Sequence, residues 1–249
     1  MSELLISEED SILFLTLNRP DKRNALNDAL IGHLQAALSS VDETIAAVII
    51  RGAGKDFCSG ADLASLQKIA NATYEENLED AAQLADLFDL IRNLPVPVIA
   101  AVHGRALAGG CGLATACDLV VATESARFGY PEVKIGFVPA IVTAILRRNV
   151  SEKQAFELIT RGFELDSATA KQLGLVNQIC GDDQLEEFIS EYAGAYRKLS
   201  RSAVRMSKSL LYEMDSQNFP TSMEMGIETN ARARMTEDCK KGIAKFLAK

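Results

Sequence analysis

The stretch ALAGGCGLATACD, residues 106–118, sets Ala108, Gly109, Gly110 and Gly112 at the mouth of an apolar run that reads as a helix. A helix N-terminus carries unpaired N–H groups and the positive end of the macrodipole, so it favours negative charge. Glycines there let a ligand approach the backbone closely. The charge can belong to a bound anion, or to an oxygen that becomes negative only during reaction. In the second case the turn is half of an oxyanion hole and needs a second donor. FCSGADL, Phe57–Leu63, supplies a matching turn: a strand ends, and Gly60-Ala61-Asp62 opens a helix.

Other readings of these glycines fail on spacing. Gly110-x-Gly112 sits between a strand and a helix, as a dinucleotide-binding turn does. Its third small position, however, is Thr115, and a long gap separates Gly110 from the strand end at Val102. GAGKD at Gly52–Asp56 is no phosphate loop, which would need glycine at Ile49 and a hydroxyl at Asp56. A serine hydrolase is disfavoured because the chain has no G-x-S-x-G elbow and both histidines, His33 and His103, lie in apolar contexts. His103, at a strand end, reads as structural.

The elements that must hold these turns alternate along the chain. Leu4–Glu8 and Ile12–Leu17 read as strands hinged at Glu9–Asp10. Leu26, Leu30, Leu34 and Leu38 mark an amphipathic helix capped by Asn27. Strands follow at Ala46–Arg51, Pro97–Val102 and Leu119–Thr123, with a long helix over residues 76–93. Later, Ser151–Gln154 reads as a capping box, Ser167–Leu173 as a helix stopped by Gly174, and Val176–Cys180 as the last strand. From about Gln184 onward only helices are expected. The pattern predicts an α/β core of largely parallel strands over residues 1–183, followed by a helical region over 184–249.

Composition narrows the function classes. The 249 residues are 48% hydrophobic and 24% charged, ordinary for a globular protein with a substantial core. A net charge of −8 disfavours nucleic acid and anionic membrane surfaces as partners. Basic residues gather late, at Arg197, Lys198, Arg201, Arg205 and Lys208, and read as a solvated helical face or a phosphate pocket. Five cysteines without a C-x-x-C pair fit a reducing cytoplasm, and the two histidines sit on no metal-ligand spacing. The acidic start MSELLISEED does not support a secretory signal. Residues 94–122 are long and apolar, but prolines, glycines and Asp118 break them into a strand, a turn and a buried helix rather than a membrane span.

FCSGADL, then AAVHGRALAGGCGLATACDLVVAT, then ARFGYPEVKIGFVPA strongly resemble the enoyl-CoA hydratase/isomerase (crotonase) family. NRPDKRNALN at Asn18–Asn27 and ITRGFELDSATAKQLGLVNQI at Ile159–Ile179 extend the resemblance over nearly the whole chain. It implies a spiral of ββα turns with a C-terminal helical region that builds trimers or hexamers. It implies an enzyme acting on acyl-CoA thioesters, with no cofactor beyond the CoA of the substrate. The donors that hold a thioester enolate would be the N–H groups of Ala61 and Gly109. Lys22, Arg23, Ala25 and Leu26, with Gly60, Asp62, Leu63, Gly110 and Gly112, would line the path of the CoA and acyl group. Phe246 and Lys249 would reach a neighbouring subunit's CoA. Helix 76–93 and Val138–Ala144 are expected to shape the acyl pocket, while Asp62 and Asp118 are expected to cap or pair.

The carboxylates depart from the hydratase pattern. Hydratases of the family use two glutamates; the second is present as Glu132, while Gly112 stands in place of the first. The aspartate that dienoyl-CoA isomerases add falls on Ala140. Desolvation in an apolar cleft would favour the acid form of Glu132, fitting it as acid or base. Glycine at this place, with a run like Pro139–Ile141, is similar to hydratases of branched or carboxylated enoyl-CoAs such as methylglutaconyl-CoA. Hydration or dehydration of an enoyl-CoA is therefore expected. The alternatives are a single-glutamate Δ3-Δ2 isomerase and a noncatalytic acyl-CoA-binding protein. A glutamate restored at Gly112 is expected to raise hydration of crotonyl-CoA.

Overall fold

The computed structural model describes residues 2–248. β1 (Leu4–Glu9) and β2 (Ile12–Leu17) pair antiparallel around Asp10 and Ser11, both at positive φ. In α1 (Asp28–Ser39) the expected Asn27 cap accepts from Leu30 N at 2.8 Å, a bond that contributes about 1 kcal/mol. Leu30, Leu34 and Leu38 face the core. β3 (Ala47–Gly52) leads to α2 (Leu63–Asn71), and α3 (Tyr74–Asn93) starts at a capping box of Thr73 and Glu76.

Next come β4 (Val98–Val102), β5 (Arg105–Leu107), α4 (Gly109–Ala116), β6 (Leu119–Thr123) and β7 (Arg127–Gly129). Thus residues 94–122 do break into strands and a buried helix. α5 (Ala140–Asn149) precedes α6 (Glu152–Arg161), which opens with the expected Ser151–Gln154 capping box. β8 (Glu164–Asp166), α7 (Ser167–Leu173) and β9 (Gln178–Cys180) complete the core.

The main sheet has the order β1-β2-β3-β4-β6-β9 and is parallel from β2 onward. Strands β2, β3, β4 and β6 are apolar on both faces because both faces are covered, whereas the edge strand β1 is largely exposed. Leu15, Leu17, Val48, Ile50, Val98 and Ala100 point to the larger core, with α1, α3 and α4. Phe14, Ile49, Ile99 and Val121 point the other way, onto Leu185, Ile189 and Ala193 of α8 (Leu185–Gly194). The expected boundary after residue 183 therefore falls in a loop, but α8 beyond it closes the sheet.

A second sheet, β5-β7-β8, was not foreseen. Strands of three residues are too short to show a period.

α9 (Arg201–Glu213), α10 (Phe219–Met235) and α11 (Glu237–Leu247) follow. Their basic residues are not simply a solvated face. Lys208, whose side chain is 9% exposed, donates to Asp118 and to the carbonyls of Ile91 and Val96. Asp118 also accepts from Tyr212 and from Val98 N, so it pairs as expected and ties α9 to the core. Burial lowers the Lys208 pKa, against the pull of Asp118. Among the described residues, no helix is long and apolar enough to cross a membrane.

Candidate active site

Three backbone segments lie side by side. Residues 57–58 donate to His103 and Arg105 carbonyls, and Leu107 N returns a bond to Cys58 O at 2.9 Å. On the other flank Ser59 N donates to Arg23 O, Leu26 N to Gly60 O, and Asp62 N to Leu26 O. The 58–62 turn is thereby held between the 23–26 segment and the entry to α4. Within the described residues, neither Ala61 N–H nor Gly109 N–H has an acceptor.

Small residues make this contact possible. Gly60 has φ +94°, and a Cβ there would lie 2.8 Å from Ala108 Cβ and 3.4 Å from Gly109 N. A Cβ on Gly110 would lie 2.3 Å from Cys58 O. The two turns touch backbone to backbone.

Ala108 holds an uncommon conformation for a residue with a side chain, φ 50° and ψ −127°, of the kind that costs ~1–3 kcal/mol. Its N–H donates to Gly129 O at 2.8 Å and its carbonyl accepts from Gly112 N at 2.9 Å. Those bonds hold the strained residue that starts α4 and aims Gly109.

Arg19 braces the other turn. Its guanidinium donates to Ala25 O, pairs with Asp62 at 2.7 Å and with Glu3 at 3.1 Å. Asp62 also caps α2 by accepting from Ser65 N at 2.8 Å. Hydrogen bonds from Arg19 and Ser65 keep its carboxyl below the ordinary range.

Glu132 stands in the single helical turn Pro131–Ile135 and is 9% exposed. Its Oε2 is buried without a hydrogen-bond partner among the described residues, and burial pushes its pKa up. The preceding Tyr130 anchors this turn to α4. Its hydroxyl shares a 2.8 Å hydrogen bond with Thr115 Oγ1, which donates to Cys111 O at 2.8 Å. Burial pushes the Cys58 and Cys111 thiols up to about 12 and about 11, so both stay neutral beside the donor turns.

A cavity of about 500 Å³ joins these parts. Of the expected site residues, Leu26, Ala61, Gly109 and Glu132 line it. So do Asp80, Ala81 and Leu84 of α3 and Val138 to Val142, the two stretches expected to shape an acyl pocket. Ala25, Gly60, Asp62 and Gly110 build the frame behind it. Lys22, Arg23 and Leu63 are exposed beyond its lining. Phe246 is 77% exposed on α11 and takes no part in the lining; Lys249 lies outside the described residues. His103 accompanies Gly54 O at 3.0 Å, away from the cavity.

The gain expected from a glutamate at position 112 meets a packing obstacle. A Cβ on Gly112 would meet Val142 Cγ2 at 2.5 Å and Phe88 Cζ at 3.1 Å. There is no empty place for a glutamate, so Gly112→Glu alone would overpack the core rather than restore a two-carboxylate site. Val142 lies in the stretch expected to shape the acyl pocket, but its contact with position 112 and the Tyr130–Thr115 link depend on segments meeting across the fold and have no local signal.

Residues 7–249 match the family model for enoyl-CoA hydratase/isomerase. A putative enoyl-CoA hydratase of Thermus thermophilus is 39% identical over 97% of this chain and 96% of its own length. A 2,3-dehydroadipyl-CoA hydratase of Escherichia coli is 36% identical over 100% and 97%. The crystal structure of an enoyl-CoA hydratase from Mycobacterium smegmatis superposes with a TM-score of 0.95 at 34% identity, covering 99% of this chain and 96% of that one. Paired donor turns, a buried carboxylate and these likenesses agree: the chain belongs to the enoyl-CoA hydratase/isomerase family and is an enzyme of it.

Proposed function

We propose that this protein adds water reversibly across the double bond of a 2-enoyl-CoA, with Ala61 and Gly109 N–H groups holding the thioester oxygen and Glu132 as its single acid–base. One juxtaposition carries the reading. A buried carboxylate with an unpartnered oxygen lines the same cavity as two unpartnered backbone donors. As the water oxygen bonds to the β-carbon, Glu132 takes a proton from that water. The π electrons move onto the thioester oxygen, where each fixed donor is worth ~10²–10³ in rate. Glu132 then gives its proton to the α-carbon and is a carboxylate again. A carboxyl held above its ordinary range suits both halves of that exchange.

A second reading is favoured by the wall at Gly112, which leaves no second carboxylate to share a water. In it Glu132 takes the α-proton of a 3-enoyl-CoA and returns it at the γ-carbon. For either reaction the mostly apolar lining supports a hydrocarbon acyl group, straight or branched. A carboxylated group, as the name of the E. coli relative implies, would find Lys134 as the lining cation, with Asp28 and Asp80 also in the lining. Exposed Met223, Ile227, Ile243 and Phe246 support self-association through the late helices; sedimentation would measure it.

The deciding experiment is Glu132→Gln, assayed with crotonyl-, 3-hexenoyl- and methylglutaconyl-CoA. Turnover should fall by ~10²–10⁴ while acyl-CoA binding persists. Product identity in the unmodified protein separates hydration from isomerisation, and an unchanged rate in the variant sinks the assignment.

A further inference from the structure

We propose that Val142 is the residue that keeps this site to one carboxylate, by occupying the space a side chain on residue 112 would need. The inference rests on the reading of Glu132 as sole acid–base. Val142 stands on the first turn of α5, 3% exposed, and lines the acyl cavity. Behind it Phe88 of α3 is 1% exposed, and its ring atoms come within 3.1 and 3.2 Å of a Cβ built on Gly112.

Neither neighbour can step aside easily. A valine on a helix is held to essentially one χ1 well, so its Cγ2, 2.5 Å from that Cβ, cannot swing clear. Phe88 is packed in the main core with Leu87 and Ile91. Gly112 is itself tied into α4 through its bond to Ala108 O. The carboxylate is therefore absent for a packing reason as well as a coding one, and position 112 can change only together with 142.

The wall also decides what the substrate meets. Val138, Ala140, Ile141 and Val142 present no side-chain donor or acceptor to the cavity. An ordered water needs two to four polar partners, so this wall holds none by its side chains. A reacting water is then held by other groups of the lining, Glu132 among them, and this wall favours hydrocarbon where the acyl group rests on it.

The test is a double-mutant cycle of Gly112→Glu and Val142→Ala, read by thermal unfolding and by rates on crotonyl- and 3-hexenoyl-CoA. Gly112→Glu alone should lower Tm by about 5 °C and bring no gain in hydration. Adding Val142→Ala should recover most of that Tm. It should also raise crotonyl-CoA hydration over Val142→Ala by about 10²-fold, the low end for a positioned acid–base group. A Gly112→Glu protein as stable as the unmodified one overturns the proposal. So does a double variant no more stable than Gly112→Glu, or one that fails to fold, or one without the hydration gain. If Glu132→Gln proves active, the function reading fails separately, while the stability coupling of 112 with 142 still judges the packing claim.

Discussion

On the donor side of the cavity, backbone touches backbone: Gly60 rests on Ala108 and Gly109, and Gly110 on Cys58. On the other side, side chain meets side chain: Val142 and Phe88 meet around Gly112, and Val142 shares the cavity lining with Glu132. At Gly110 the donor side tolerates no added atom, because the obstacle is the Cys58 carbonyl, which cannot rotate away. The side-chain wall can be rebuilt in compensating pairs. The first arrangement suits a feature shared by every reaction through a thioester enolate. The second suits the feature that distinguishes one such reaction from another.

The sharpest way to break the comparison is Gly110→Ala. Its Cβ would displace Cys58 O and separate the two turns, so kcat should fall ~10²–10³, the effect of losing one donor. A rate within a few-fold of the unmodified enzyme would mean the donor side is as pliable as the wall.

Next comes a contrast with the tether of the late helices. Lys208→Met leaves Asp118 buried without its cation, so unfolding free energy in denaturant should drop by about 3 kcal/mol. The kcat of the protein that remains folded should stay unchanged, because Lys208 and Asp118 lie outside the cavity lining.

The smallest effect is in pH. The Glu132 pKa is raised above its ordinary 4.5 by burial, so the acid limb of kcat/KM for hydration should lie above that value and vanish in Glu132→Gln. For stability the sign is set by the folded state binding its proton more tightly than the unfolded chain does. The contribution is full below pH 4.5 and is lost as pH rises through the raised folded value. Removing the carboxylate should flatten that part of the stability profile. A profile identical in the variant would mean Glu132 is solvated.

Much was legible in the chain by itself. The parallel strands, the Asn27 cap, the Ser151 capping box and the all-helical end follow from local rules of period and hydrogen-bond supply, and they appear where expected. So does the pairing of Asp62, whose place before an apolar run makes it a natural cap. What stayed hidden were features with little local signal: the three-residue strands of the second sheet, and the Arg19 brace that spans distant segments. In the basic late segment Arg197, Lys198 and Arg205 are exposed as a solvated face would be, but charge alone does not say that Lys208 is the one claimed by Asp118.

The sequence by itself determined the two donor turns, the single motif glutamate and the absence of the other. Residue types and their order carry that information: glycine lets backbone approach, and a carboxylate is present or it is not. Only the tertiary structure decided that Gly112 leaves no vacancy. Its neighbours, Phe88 on α3 and Val142 on α5, come from helices far apart in the chain, and close packing leaves no space between them.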